Sequence, residues 1–290
     1  MQSKTEEYNS VILSSLSEFI NNCPDAINAE MVKDTMHDCG FSAEQSYRVL
    51  LSGALGLYEN REIMRLYMDN IVKKLEPKKY TDNPYYRNIK LGTSVFGKNW
   101  SVITQKYKPY ELFVYNDLRR QPDGRILPSI GFFECEYAYP CILQNGREWM
   151  MITPNEIETM SAPLRRAHGK VLTYGLGLGY FAYMACAKPE VESVTVVEKD
   201  SEVISLFRQI ILPQFPHAHG YTEKLNIINA DALYYAAEQK LSSQNKYDFI
   251  FADIWHDPSD GKELYLLLKS LERSDAEYAY WIEDTIKCYL

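Results

Sequence analysis

Several features that mark broad protein classes are missing from this chain. Its 290 residues hold no uninterrupted apolar stretch near the ~20 residues that a membrane-spanning helix needs. The opening MQSKTEEYNS is polar and acidic, which fits neither a signal peptide nor a transit peptide. Cysteine is scarce: Cys23, Cys39, Cys135, Cys141, Cys186 and Cys288 are scattered, with no CxxC pair. That scatter argues against a disulfide framework or a zinc site and suits reduced thiols in a cytoplasm. Basic runs are short as well. Lys73-Lys74 and Lys78-Lys79 are interrupted by Glu76 and Pro77, and 31 basic against 39 acidic side chains give a net charge of −8. Nothing here supplies the basic stripe of a nucleic-acid binder.

What remains is ordinary globular material, 46% hydrophobic and 24% charged, long enough for about two domains. Residues 1–78 read as a helical domain. SVILSSLSEFI, AINAEMVKDTMHDC, SAEQSYRVLLSGALGL and REIMRLYMDNIVKKL each place apolar residues three and four apart. Gly40 should end the second helix, and Ser42 with Gln45 forms a capping box for the third. EPKKYTDNPYY, rich in turn-formers, marks a boundary. Residues 88–155 then read as a small antiparallel β-domain, with Asn145-Gly146 a strong hairpin signal.

Over 156–290 the pattern alternates. KVLTYG, SVTVVE, LNIINAD, YDFIFAD and AEYAYWIED are strands, separated by amphipathic helices. This order predicts an α/β domain with a doubly wound, mainly parallel, Rossmann-like sheet. Gly175, Gly177 and Gly179 fill the first strand-to-helix turn, where glycine permits a tight bend and close approach of a ligand to the backbone. Glu198 ends the second strand, placed to accept the hydroxyls of a ribose. The nicotinamide fingerprint needs a further glycine where this chain has Tyr180.

The GxGxG spacing, with an acid after strand two, resembles the first motif of class I S-adenosylmethionine-dependent methyltransferases. The resemblance covers about 165–285. It implies that S-adenosylmethionine is held by Tyr174, Gly175, Gly177, Gly179 and Glu198, with Asp231 and Ala232 at the adenine and Asp253 at the methionine end. Thr173 stands where many members carry an acid. The layout is also similar to the spermidine synthase-like branch. That branch has an Asp in its glycine turn where this chain has Leu178, and a tyrosine upstream that PNEIETM lacks. Losing both groups disfavours aminopropyl transfer, which stays as the alternative beside a non-catalytic protein that binds an S-adenosyl ligand.

Asp253-Ile254-Trp255-His256-Asp257 resembles a stretch of the catechol-type O-methyltransferases. By that likeness Asp253, His256 and Asp257 are the catalytic candidates, with His256 at the general-base position, suited to it because imidazole titrates near neutral pH. Mg²⁺ is a secondary candidate, held by Asp253 with Glu283 and Asp284, but no metal site is assigned. Methyl transfer itself asks for alignment, a proton acceptor and a water-poor pocket. Asp82-Asn83-Pro84-Tyr85 resembles a DNA methyltransferase motif but lacks its second proline, so turn chemistry explains it better. Leu290 follows soon after the fifth strand, so the acceptor side is expected to be covered by the N-terminal regions or by a second copy of the chain. The expected protein is a cytoplasmic methyltransferase with a small-molecule acceptor, neither membrane nor nucleic acid as partner, and a homodimer as a candidate assembly.

Overall fold

The computed structural model describes residues 3–96, 99–216, 220–242 and 246–290. Two compact units emerge, Met1–Lys78 with Lys106–Ala138, and Lys79–Gln105 with Tyr139–Leu290.

In the first unit the apolar spacing produces three helices, Lys4–Asn22, Ala29–Cys39 and Ala43–Ala54. Gly40 ends the second at φ 69°, and Ser42 and Gln45 close the third helix's capping box, as the sequence predicts. Ile12, Leu16, Phe19, Tyr47 and Leu51 face a common core with Ile130 and Phe132. The fourth expected helix stops early. It widens into a π-turn at Met64–Met68, ends at Ile71, and gives way to a strand at Val72–Lys74 that pairs in parallel with Ile130–Phe132. A β-branched residue offered a strand partner overrides helical periodicity there. The partner, Ile126–Phe132, is buried along its whole length and pairs antiparallel with Phe113–Arg120. The strand-forming residues between 94 and 151 therefore divide into two sheets rather than one, because Phe113–Arg120 and Ile126–Phe132 pair with Val72–Lys74.

The second unit holds a four-stranded sheet ordered Ser94–Phe96, Trp100–Tyr107, Tyr137–Gln144, Arg147–Met151. Its last two strands form the expected hairpin, with Asn145 and Gly146 at φ 53° and 79°. That double left-handed turn matches strand twist. The main sheet has five strands: β1 (Gly169–Tyr174), β2 (Val191–Glu198), β3 (Leu225–Asn229), β4 (Phe249–Ala252) and β5 (Glu277–Tyr280). Their order is β3-β2-β1-β4-β5, every pair parallel. Helices around it are α1 (Pro154–Arg166), α2 (Tyr180–Cys186), α3 (Ser201–Leu206), α4 (Ala232–Leu241), α5 (Pro258–Ser270) and α6 (Glu283–Cys288). Val171, Val194, Val196, Phe249 and Phe251 are buried, the apolar run expected of strands covered on both faces. Strand order reverses between β1 and β4, which opens a crevice at their carboxyl ends. Among the described residues, no helix is long and apolar enough to cross a membrane.

Candidate functional site

The crevice begins where β1 turns into α2. Gly175 sits at φ 96°, and a β-carbon there would collide with the Asp253 carbonyl oxygen. Gly179, at φ 74°, faces the Phe207 ring and has no room for a β-carbon either. Phe207 opens a π-turn, Phe207–Ile211, where the sequence reads as continuous helix. Gly177 differs. A β-carbon on it would meet only the Met150 sulfur, at 3.7 Å, an ordinary contact distance, so the middle glycine is the least crowded of the three. Leu176 and Leu178 turn their side chains into the core. This is the fit expected if a ligand lies along the backbone at Gly177.

Glu198 closes the other side of that turn. Its Oε2 accepts from the Leu176 N–H at 3.1 Å, and its Oε1 accepts from the Asp200 N–H at 2.8 Å. Each oxygen keeps a further lone pair for a hydroxyl donor. The carboxylate is thus fixed within the turn and still able to take a diol. Val197 O accepts from the Gly175 N–H at 2.9 Å, which binds β2 to the glycine turn a second time.

Beyond β4 lies Asp253, whose N–H donates to Tyr174 O at 2.9 Å. Burial first, and the neighbouring Glu198 charge second, push its carboxyl up to about 7. Glu156, in the first turn of α1, is raised well above the usual carboxylate range by burial and by Asp253. The Asp253 charge thus disfavours ionisation of Glu156, and the Glu198 charge that of Asp253. Glu156 is absent from the sequence reading because an acid in a first helical turn looks like a dipole partner. Only the tertiary fold brings it to Asp253.

The remaining loop residues separate by role. His256 Nδ1 lies 3.1 Å from Asp260 Oδ2, and its ring meets the Trp149 edge at a centroid distance of 4.4 Å. Asp257 is the N-cap of α5, its side chain accepting from the Ser259 N–H at 2.6 Å and forming a capping box with Asp260. A carboxylate with that local duty accounts for its position without catalysis. Trp255 is 5% exposed, and its Nε1 has no hydrogen-bond partner among the described residues.

Other predicted residues are placed as follows. Tyr174 is buried near Tyr278, Tyr235 and Tyr247, and burial raises its phenol, so its side chain reads as core. Asp231 caps α4 by accepting from the Tyr234 N–H at 3.0 Å, and Ala232 is the buried first residue of that helix. Thr173 is buried, with Oγ1 donating to Gly175 O at 3.4 Å. Glu283 accepts from Tyr265 at 2.8 Å and pairs with Lys287 at 3.0 Å, while Asp284 is exposed at the start of α6. Those contacts tie Glu283 to α5 and to its own helix. Among the described residues no group of three His, Cys, Asp or Glu side chains stands where it could hold a metal ion.

The Asp82–Tyr85 segment leads into a short helix, Pro84–Asn88. Asn83 caps it, and the Tyr85 hydroxyl donates to Leu178 O at 2.6 Å, bracing the glycine turn from behind. An open cavity of ≈ 430 Å³ lies elsewhere, on the α1 and α2 faces carrying Ile157, Leu164 and Met184.

No protein-family model matches this sequence, and no curated protein matches it. Among solved structures, spermidine synthase from Thermotoga maritima is similar over 66% of this chain and 55% of that one, at 17% identity and a TM-score of 0.36. Spermidine synthase in complex with the transition state analogue AdoDATO is similar over 66% and 57%, at 17% identity and a TM-score of 0.35. Precorrin 8W decarboxylase from Methanobacterium thermoautotrophicum is similar over 42% and 58%, at 12% identity and a TM-score of 0.30. The chain spans little more than half the length of these solved chains. Its Rossmann-like character rests on its own strand order, not on these distant likenesses.

Proposed function

We propose that this chain binds an S-adenosyl ligand along Gly175–Gly179 and Glu198 and transfers a methyl group from S-adenosylmethionine to a small-molecule acceptor. One observation carries the reading. Glu198 is hydrogen-bonded to the Leu176 N–H inside a turn whose middle glycine meets no backbone, only the Met150 sulfur at 3.7 Å from its β-carbon position. That pairing is what a nucleoside needs: backbone approach on one side, a fixed diol acceptor on the other. When bound, S-adenosylmethionine supplies an already activated carbon. The chain's own residues align the acceptor, take its proton and keep water away. Glu198 orients the ribose, and the Asp253 carboxyl borders the reacting end.

A second reading, aminopropyl transfer, is favoured by Glu156. Leu178 removes the expected amine-gripping acid from the glycine turn, but Glu156 beside Asp253 supplies a different pair of carboxylates for a cation. Calorimetric titration with S-adenosylmethionine, S-adenosylhomocysteine and decarboxylated S-adenosylmethionine separates these readings. Methyl transfer expects micromolar binding of the first two. Preference for the decarboxylated form supports aminopropyl transfer, and no binding by any of the three sinks both.

A further inference from the structure

The loop after β4 holds a side-chain arrangement that the glycine turn does not explain. His256 is tied to Asp260 twice. Its backbone N–H lies 3.1 and 3.2 Å from the two Asp260 oxygens, and its Nδ1 lies 3.1 Å from Asp260 Oδ2. Burial pushes the Asp260 carboxyl up, but hydrogen bonds from the Asp257 and His256 N–H groups and the imidazole outweigh it and hold the acid below its ordinary range. Asp260 is therefore an acceptor at neutral pH. A neutral imidazole facing such an acceptor through Nδ1 carries its proton on Nδ1 and leaves the Nε2 lone pair open.

The ring is held from a second direction. Trp149, on the strand Arg147–Met151, stands edge-on to it at 71°. The adjacent Met150 places its sulfur 3.7 Å from the β-carbon position above Gly177. Neighbouring residues of one strand thus meet His256 and Gly177. Asp260 is the charged group in contact with the ring. Glu148 is engaged by Gln105 Nε2 at 2.6 Å.

We propose that Asp260 is a positioning residue for His256, fixing its Nδ1–H tautomer so that Nε2 takes the acceptor's proton during transfer. This rests on the transferase reading above. The acceptor's lone pair forms the new bond to carbon as the carbon–sulfur bond breaks and its electrons neutralise the sulfonium. The acceptor's proton passes to Nε2, and the resulting imidazolium donates from Nδ1 to Asp260. Sequence spacing alone gave no reason to choose Asp260, because an acid three residues after an N-cap reads as the second half of a capping box.

Long-range ¹H–¹⁵N NMR of the full chain, with the His256 signals assigned through His256→Gln, reads the tautomer directly. The Nδ1–H form should exceed the Nε2–H form by roughly tenfold in the wild type, as a charge-assisted hydrogen bond favours. Asp260→Ala should abolish that preference, and Asp260→Glu should restore it. Asp260→Asn keeps an acceptor for the backbone N–H groups should the alanine variant fail to fold, and it should lower the preference severalfold. Titration with S-adenosylhomocysteine should move the His256 Nε2 resonance in step with the calorimetric isotherm. A dominant Nε2–H form in the wild type, or a tautomer indifferent to Asp260, overturns the proposal. So does S-adenosylhomocysteine binding that leaves His256 unmoved, although the ligand-binding reading then survives. No heat of binding removes that reading and this proposal with it.

Discussion

At the β1–β2 half of the carboxyl edge the backbone does the shaping. Gly175 and Gly179 hold conformations that leave no room for a β-carbon, and Glu198 is pinned by two N–H groups. At the β4 half, side chains from distant parts of the chain meet instead. Glu156 comes to Asp253 from α1, and Trp149 comes to His256 from the hairpin. The first half is local and rigid, fixed by residue type. The second half is assembled by tertiary contact, and burial raises its two carboxyls.

The largest test of that contrast is Gly175→Ala. Clash with the Asp253 carbonyl and the left-handed φ should together cost about 4 kcal/mol in urea unfolding. Gly177→Ala should cost about 1 kcal/mol, from its φ of 53° alone. Equal losses at both positions would mean the turn is packed uniformly. Next in size, Glu198→Gln should weaken S-adenosylhomocysteine binding by roughly tenfold or more, the range of a lost charge-assisted hydrogen bond. Stability should fall far less than for Gly175→Ala.

The β4 half is tested by pH. The Asp253 carboxyl is raised in the folded chain to about 7, above an unfolded value of about 3.9. The native state therefore binds more protons between those values, so this group's contribution to stability is full below the lower one and is lost as pH rises through the upper one. Asp253→Asn should match the wild-type Tm near pH 4 and exceed it at pH 8. An equal difference at both pH values would show that Asp253 ionises freely. Asp257→Ala should cost as little as Gly177→Ala, about 1 kcal/mol, from loss of the α5 cap. A collapse of ligand affinity in that variant would restore Asp257 to the site.

Legibility in the sequence followed the same division. The alternation of strand and helix and the glycine turn could be read because apolar runs, glycines and terminal acids are encoded within a few residues. Glu198 was legible for that reason. Asp231 and Asp257 were legible as acids at strand ends, but their capping bonds were not, since a cap and a ligand-binding acid occupy the same place in the pattern. Glu156, Asp260 and Trp149 carry no local signature, because what distinguishes them is the residue each meets. The strand at Val72–Lys74 was missed for the same reason: its partner lies at Ile130–Phe132.

The proposed nucleoside site rests on the glycine turn and Glu198. Calorimetric titration of the wild type and Glu198→Gln with S-adenosylhomocysteine tests it most directly. A micromolar Kd in the wild type, weakened at least roughly tenfold in the variant, is the result expected. No binding, or equal binding by both proteins, would contradict the proposal.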